Sequence, residues 1–445
     1  MKRILIFLAC MLPIIALAQE TKKWSLKDCI IYGIEHNLTL QQSKIGVKRA
    51  NLSYTQSKLN FLPSLSAGAS AGESYGRAID PRTNTYVDNS VFNNSYDVQA
   101  QMYLFNGGEL IQKLLSQKMQ TKVAEANKLN TTDEMVFSIM AAYYDVLFYG
   151  ELTAINLAQA DISRQNEEKM KALLQVGVKA EADLLEVKAN KEKDELNYIQ
   201  AVNSHLLAQN NLKSLMNIVS ENTFVIENPE DANLPNAANL SAQPENLYRQ
   251  FLSYSPLITS LKAQWDIAKK NVAISRSGYY PSLRLVGQIA TGYYNTNKDN
   301  TGNVIAFEKQ ISDNLRKYIG ISLQIPIFDR NQARYNVSMA KLQAEEARIN
   351  LEQSELKVKQ QVYNDYTQMK ATFQEMQQLE RQLQADKLAY DAMQAKFDQG
   401  LSNTLELYTA KNRAASTQVQ LLKTKLTFEI KQKMMQYYQG VRFWE

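Results

Sequence analysis

Phe61-Leu62-Pro63-Ser64-Leu65 returns 218 positions later as Tyr279-Tyr280-Pro281-Ser282-Leu283, and this repetition decides the fold. A second correspondence, at a shift of 223, sets Leu104-Phe105-Asn106 on Ile327-Phe328-Asp329. The same shift carries Gly177 to Gly400, Leu184 to Leu407 and Lys188 to Lys411. Upstream, Asn37-Leu38 answers Ser255-Pro256. Each half therefore reads helix, strand, long loop, strand, long helix, tip, helix. The first repeat takes residues 19–220, with strands near 64–76 and 96–105 and a hairpin tip near Gly177. The second takes 256–440, with strands near 282–294 and 318–328 and a tip near Gly400. Between them, 221–255 is a linker region that carries Pro229, Pro235, Pro244 and a short run, Phe224-Val225-Ile226. Residues 441–445 form a tail.

Proline is absent between Pro81 and Pro229 and again after Pro326. These stretches are rich in Ala, Leu, Gln, Glu and Lys, which favours long helices. A helix from Glu109 to Val176 would run about 100 Å at 1.5 Å per residue, and one from Asn331 to Gln399 would match it. In Leu173-Leu174-Gln175-Val176-Gly177-Val178 and Lys396-Phe397-Asp398-Gln399-Gly400-Leu401, glycine is placed to end each helix in the left-handed conformation. Leu184-Leu185-Glu186 and Leu405-Glu406-Leu407 then restart an apolar helical pattern. Two helical hairpins result.

The remaining segments alternate with period two. Ile319, Ile321, Leu323, Ile325 and Ile327 face away from Gly320, Ser322, Gln324 and Pro326. Val98, Ala100, Met102 and Leu104 alternate with Gln99, Gln101 and Tyr103, and Leu283 to Tyr293 behaves likewise. From Ser64 to Tyr75 the alternation is weaker. Dyad segments of this length suit a transmembrane β-barrel, although an ordinary half-buried sheet alternates in the same way. Four strands cannot close a barrel, which begins at about eight. A lipid-exposed sheet tolerates no free edge, so the chain is expected to oligomerise, with 8 strands as a dimer or 12 as a trimer.

Lys2 and Arg3 precede an apolar run from Ile4 to Leu17, and Ala16-Leu17-Ala18 precedes Gln19. This is the pattern of a secretory signal peptide, residues 1–18, cleaved after Ala18. Cys10 lies inside the apolar run, which argues against lipidation there, and Cys29 would be the one cysteine of the mature chain. The formal net charge of +5 is too small to argue for nucleic acid. Two histidines, His36 and His205, have no ligand spacing. No phosphate loop, nucleophile elbow or catalytic triad is recognisable, so neither cofactor, metal nor enzymatic activity is expected.

In order, spacing and duplication, these pieces resemble the outer membrane efflux family, the TolC-like exit ducts of Gram-negative bacteria. Ser25-Leu26-Lys27-Asp28-Cys29 with Glu35-His36-Asn37-Leu38 is similar to the family's first helix. The paired Pro-Ser-Leu segments, the strand-to-helix passages Leu104-Phe105-Asn106-Gly107-Gly108 and Pro326-Ile327-Phe328-Asp329, and the two glycine tips complete the likeness. The resemblance implies a homotrimer with a twelve-stranded barrel in the outer membrane, continued by twelve helices as a periplasmic tunnel. It implies the exit duct of a tripartite efflux or type I secretion system, with passive conduction of small molecules or proteins from an inner-membrane pump, of the RND or the ABC type, through a periplasmic adaptor. The adaptor-contact tips would be Gly177, Val178 and Asp183 with Gly400, Leu401 and Glu406. Gln399 and Lys179-Ala180-Glu181-Ala182 depart from the family's usual tip residues. The alternative is a soluble periplasmic coiled-coil scaffold or adaptor, with the alternating segments in a water-exposed sheet.

Asp391 and Asp398, seven residues apart on one helix face, are candidates for a lumen or gate carboxylate ring, against the plainer reading of a solvated face. Gln99, Gln101, Gln288 and Gln324 would line the barrel lumen if the apolar faces meet lipid.

Overall fold

The computed structural model describes residues 23–79, 83–88, 90–218, 224–227 and 243–444. The expected signal peptide, and most of the linker between the repeats, lie outside the described residues. In chain order the elements are β1 (Lys23–Trp24), α1 (Leu26–His36), α2 (Leu38–Leu59), β2 (Ser64–Ser74), β3 (Arg77–Ile79), β4 (Tyr86–Asp88) and β5 (Val91–Asn106). The first hairpin follows as α3 (Glu109–Gln175) and α4 (Glu181–Leu215). Then come β6 (Val225–Ile226), α5 (Pro244–Tyr254), α6 (Pro256–Arg276), a 3-10 turn (Ser277–Tyr279), β7 (Ser282–Tyr294), α7 (Phe307–Asp313) and β8 (Arg316–Gln324). The second hairpin is α8 (Gln332–Asp398) and α9 (Thr404–Tyr438).

The repeat seen in sequence holds at the level of backbone. Adding 223 to every bound of α3 and α4 yields the bounds of α8 and α9; the long helices have 67 residues each and the return helices 35. At the strand-to-helix passage, the Asn106 side-chain oxygen accepts from Leu110 N (3.4 Å), and the Asp329 carboxylate accepts from Ala333 N (2.7 Å). Between oxygen and helix, Gly107 and Gly108 are left-handed, and so are their counterparts Arg330 and Asn331. One backbone path is thus built with two glycines in one half and with an arginine and an asparagine in the other, at a cost of about 1–2 kcal/mol for each residue with a side chain.

Contacts divide the chain into two units: Met1–Leu40 with Thr132–Phe251 and Gln360–Glu445, and Gln41–Thr131 with Leu252–Lys359. In the first unit the buried positions of the helices recur every seven residues. Val187, Asp194, Ala201 and Ala208 form such a seam on α4; Val362, Met369 and Met376, continued by Phe397, form one on α8; Leu407, Leu421, Phe428 and Met435 lie on another on α9. A seven-residue seam is the coiled-coil solution for long helices that pack side by side. Away from the tips, Tyr143 donates to Glu227 O (2.6 Å), Tyr437 to Asp133 (2.7 Å) and Tyr438 to Asp365 (2.7 Å). Desolvation raises the Tyr143 and Tyr144 hydroxyls well above the usual tyrosine range. The C-terminal segment is not a loose appendage: Trp444 is buried against Phe137 and Tyr437.

The second unit contains the antiparallel four-stranded sheet, in the order β2-β5-β7-β8. Three details differ from the sequence reading. Strand β8 stops at Gln324, before Pro326, which has no N–H to offer a neighbour, so Ile325 and Ile327 lie beyond the strand. A bulge between Tyr103 and Phe105 sets Phe105 opposite Leu283, so the period-two alternation read through Leu104 breaks there. The loop between β7 and β8 contains α7, a short helix with no periodic signature in the sequence. Its Gln310, buried, donates to Tyr294 O and accepts from Tyr294 N, while Asn314 donates to Gly292 O. Pairing with β8 ends at Ala290, so these side-chain amides take over the exposed edge of β7.

Candidate functional site

The tips are two copies of one motif. At the end of α3, Gly177 N donates to Leu174 O and Val178 N to Leu173 O, both 3.0 Å, with Gly177 at φ +75°. At the end of α8, Gly400 N donates to Phe397 O (2.9 Å) and Leu401 N to Lys396 O (2.8 Å), with Gly400 at φ +74°. This is the Schellman ending, and the positive φ is why glycine stands at both positions. The return helices are then capped by the predicted acids. Asp183 accepts from Ala180 N (3.2 Å). Glu406 and Asn403 exchange side-chain-to-backbone bonds in a capping box. Asp183 and Glu406 therefore have a structural role at the surface of each tip. Val176, Val178, Leu185, Leu401 and Leu405 stand exposed around the two glycines.

Behind the tips the hairpins share one apolar cluster: Met170, Val187, Phe397, Leu407 and Tyr408, with Leu184, Tyr390 and Met393 packed on it. Met170 and Met393, like Leu184 and Leu407, are related by the 223 shift, so equivalent residues of the two halves meet in a single core. The candidate carboxylates lie on its outer side. Asp398 is exposed and bonded to Lys169 of α3 (3.1 Å) and to Gln394 (3.0 Å), so a lysine of the other hairpin offsets its charge. Asp391 is exposed on the same helix.

Past this cluster lies a polar centre that sequence reasoning missed. The Lys411 ammonium, with a side chain 1% exposed, donates to Gln159 O (2.9 Å), Ser163 Oγ (2.6 Å) and the Asp194 carboxylate (2.6 Å). Ser163 Oγ also donates to Asp194 (2.6 Å), and Tyr408 OH lies 3.4 Å from Ser163. All three ammonium protons thus find acceptors, on α3 and α4. Desolvation lowers the Lys411 pKa, opposed by the bond and charge of Asp194. Burial likewise raises the Tyr408 hydroxyl. A signal was present in the sequence: Lys411 falls four residues after Leu407 and three after Tyr408, on a buried stripe, and Asp194 occupies a heptad seam position.

In the second unit, the register separates the sheet into two faces. One carries Leu65 and Ala67, Val98 and Ala100, Leu285 and Ile289, Ile319 and Ile321, and these apolar side chains are largely exposed. The other carries Ser64 and Ser66 on β2, Gln99 and Gln101 on β5, Gln288 on β7, and Ser322 and Gln324 on β8. Gln99 is directly opposite Gln288, Gln101 lies between Ser64 and Val286, and Gln324 is opposite Ser282. All four predicted glutamines share the polar face. Strands β2 and β8 have one unpaired edge each.

A sheet that is apolar on one exposed face, polar on the other and open at both edges suits a lipid-facing barrel wall rather than a soluble core. Together with two long helical hairpins, this defines the subunit of an outer-membrane channel. The family model for the outer membrane efflux protein matches residues 34–217 and again 247–434, once for each half. The chain belongs to this family. It is 21% identical over 404 residues to the outer membrane efflux protein BepC of Brucella suis, covering 89% of this chain and 81% of that protein. It is 22% identical over 295 residues to the outer membrane protein TolC of Vibrio cholerae, covering 66% and 65%. Among solved structures, the outer membrane protein VceC of Vibrio cholerae superposes with a TM-score of 0.78 at 17% identity, covering 94% of this chain and 96% of that one. The chain is therefore an outer-membrane transport channel of TolC-like fold and not an enzyme, and channels of this class work with efflux pumps. The soluble-scaffold alternative is not favoured.

Proposed function

We propose that three copies of this chain form the exit duct of a tripartite efflux assembly. The observation that carries this is the pair of open edges on a two-faced sheet. Strands alternate in direction through β2-β5-β7-β8, so β8 of one copy can pair antiparallel with β2 of the next. Three copies then close twelve strands with no edge left to lipid. The long hairpins α3–α4 and α8–α9 supply twelve helices for the periplasmic tunnel. The exposed apolar residues at the tips, Val178 and Leu401 among them, are the contact for a periplasmic adaptor, with an inner-membrane pump of RND or ABC type behind it. Conduction is passive, and the pump supplies the energy. The adaptor opens the tips by binding the splayed state more tightly than the closed one, since equal affinity for both would open nothing.

Fractionation, followed by the detergent-corrected mass of the purified particle, tests this. Three chains per particle in the outer-membrane fraction support the duct. A monomeric or dimeric particle overturns the twelve-stranded closure.

A further inference from the structure

The register of the sheet also fixes the charge of its polar face. On β2 that face is Ser64, Ser66, Gly68, Ser70 and Gly72, with no charge. Strand β5 contributes one aspartate, Asp97; β7 contributes one arginine, Arg284; β8 contributes one, Arg316. The face thus holds two cations against one anion in each chain. Arg284 lies over the ring of its cross-strand neighbour Tyr103 (4.7 Å to the centroid) and donates to its hydroxyl (2.8 Å), which fixes the guanidinium, and among the described residues no carboxylate pairs with it. Arg316 is exposed, and among the described residues no carboxylate pairs with it. Asp97 and Arg316 belong to one row, Gly68–Asp97–Ala290–Arg316, and line one cavity of about 520 Å³ on this face. No ion pair joins them. A Cβ on Gly68 would sit 2.8 Å from the Asp97 carboxylate, so Asp97 leans over β2, away from the arginine.

We propose that Arg284 and Arg316 make the barrel lumen selective for anions, and that the cargo class favoured at the exit is the organic anion: carboxylates, sulfonates and amphipathic sulfate monoesters. This rests on the reading of three copies with the polar faces inward. Six arginines would then face three aspartates in a bore whose remaining lining is mostly serine, glycine, glutamine, asparagine and tyrosine, with Val286 and Ala290 as its apolar members on β7. Rings of arginine in a narrow pore select anions. A lumen potential of one kT enriches an anion and depletes a cation by a factor of e each, so it shifts their ratio roughly sevenfold.

The test is the reversal potential of the purified protein in planar bilayers under a KCl gradient. Wild type, Arg316→Gln, the Arg284→Gln/Arg316→Gln pair, the Arg284→Lys/Arg316→Lys pair and Asp97→Asn are compared. The chloride-to-potassium permeability ratio is expected to fall severalfold in the double glutamine variant, to stay near wild type in the lysine pair, and to rise in Asp97→Asn. Should closed tips pass no current, binding of the trisulfonate dye pyranine to the detergent-solubilised particle, read by fluorescence anisotropy, is expected to follow the same order. Trimers whose permeability ratio, or dye binding where they are silent, is the same in all variants overturn the inference and leave the duct intact. Failure to recover a trimer from the outer membrane overturns the duct reading itself.

Discussion

Removing the Lys411 ammonium while keeping the chain's shape, by Lys411→Met, should be among the most costly single changes near the tips. The lysine side chain is 1% exposed and the Asp194 carboxylate 11%. The variant leaves Asp194 with the Ser163 hydroxyl as its remaining partner in this centre and strips a donor from Gln159 O. Breaking a buried pair by deleting one partner typically costs about 3–5 kcal/mol, whereas replacing both partners by apolar residues of similar volume is often neutral. Lys411→Met/Asp194→Leu should therefore recover most of the loss. The internal control is Lys169→Ala. Its pair with Asp398 is longer, 3.1 Å against 2.6 Å, and its side chains are 52% and 43% exposed, so solvent screening holds its contribution to about 1 kcal/mol or less. The assay is the thermal unfolding midpoint of the purified particle in detergent at one fixed scan rate, because large assemblies unfold irreversibly. Midpoints should rank wild type near Lys169→Ala and near the double variant, with Lys411→Met well below all three. A Lys411→Met midpoint equal to that of Lys169→Ala would refute the buried-cation argument. A double variant less stable than Lys411→Met alone would show that the two residues act independently.

Three further outcomes follow from the same structure. Because burial places the folded-state pKa of Lys411 below its ordinary value of 10.5, the unfolded chain binds more protons between those two values; wild type should gain stability relative to Lys411→Met as pH rises toward 10.5, and a gap that shrinks over that rise refutes the assignment. Gly400→Ala forces a β-carbon into the left-handed conformation at about 1–2 kcal/mol, so limited proteolysis should nick the second tip faster than in wild type, with Gly400→Asn milder. Ile321→Arg puts a charge on the lipid-suited face at about 2–4 kcal/mol near the bilayer midplane and should depress the yield of folded particle, while Ser322→Arg, one residue on and facing the other way, should not; equal damage from both would mean that the faces are misassigned.

How much was legible follows from which residues act locally and which act at a distance. Gly177 and Gly400 announced the tips because a left-handed helix ending is a local demand on one residue. The strand faces were legible wherever both neighbours kept period two. Leu104 was misplaced because a bulge is a property of a strand pair, and nothing in Met102-Tyr103-Leu104-Phe105 marks which residue will be skipped. Helix α7 was invisible because its reason to exist is the unpaired edge of β7, which appears only once β8 is known to start at Arg316. Asp183 and Glu406 were singled out as partner contacts, and the structure gives both a capping role that their spacing from Ala180 and Asn403 already encoded. Asp391 and Asp398 shared a face as expected, but the lysine that offsets Asp398 comes from a helix more than two hundred residues away in sequence.

The two halves solve one packing problem with exchanged parts, and this bears on where the tips can move. Ser163 on α3 donates to Asp194 on α4; Asp386 on α8 accepts from Thr417 on α9 (2.8 Å). The 223 shift maps Ser163 onto Asp386 and Asp194 onto Thr417, so duplication kept the bond between outgoing and returning helix while acid and hydroxyl changed sides. The cations are not equivalent. Asp386 draws Arg413, an exposed residue of its own hairpin (2.8 Å), whereas Asp194 draws the buried Lys411 of the other hairpin. The Lys411–Asp194 bond therefore ties the hairpins together, and the Arg413–Asp386 bond does not. Separating the hairpins at Lys411 would strip three acceptors from a desolvated ammonium, but nearer the tip the exposed Lys169–Asp398 pair can yield at little cost. Splaying should therefore start between the glycines and this centre, with Lys411 as the fixed point. Amide hydrogen exchange should show slow, nearly global opening around residues 159–163 and 408–411, and fast local opening around 173–178 and 396–401. If the tips and the Lys411 centre exchange as one cooperative unit, the hinge does not lie there and the buried pair holds no boundary.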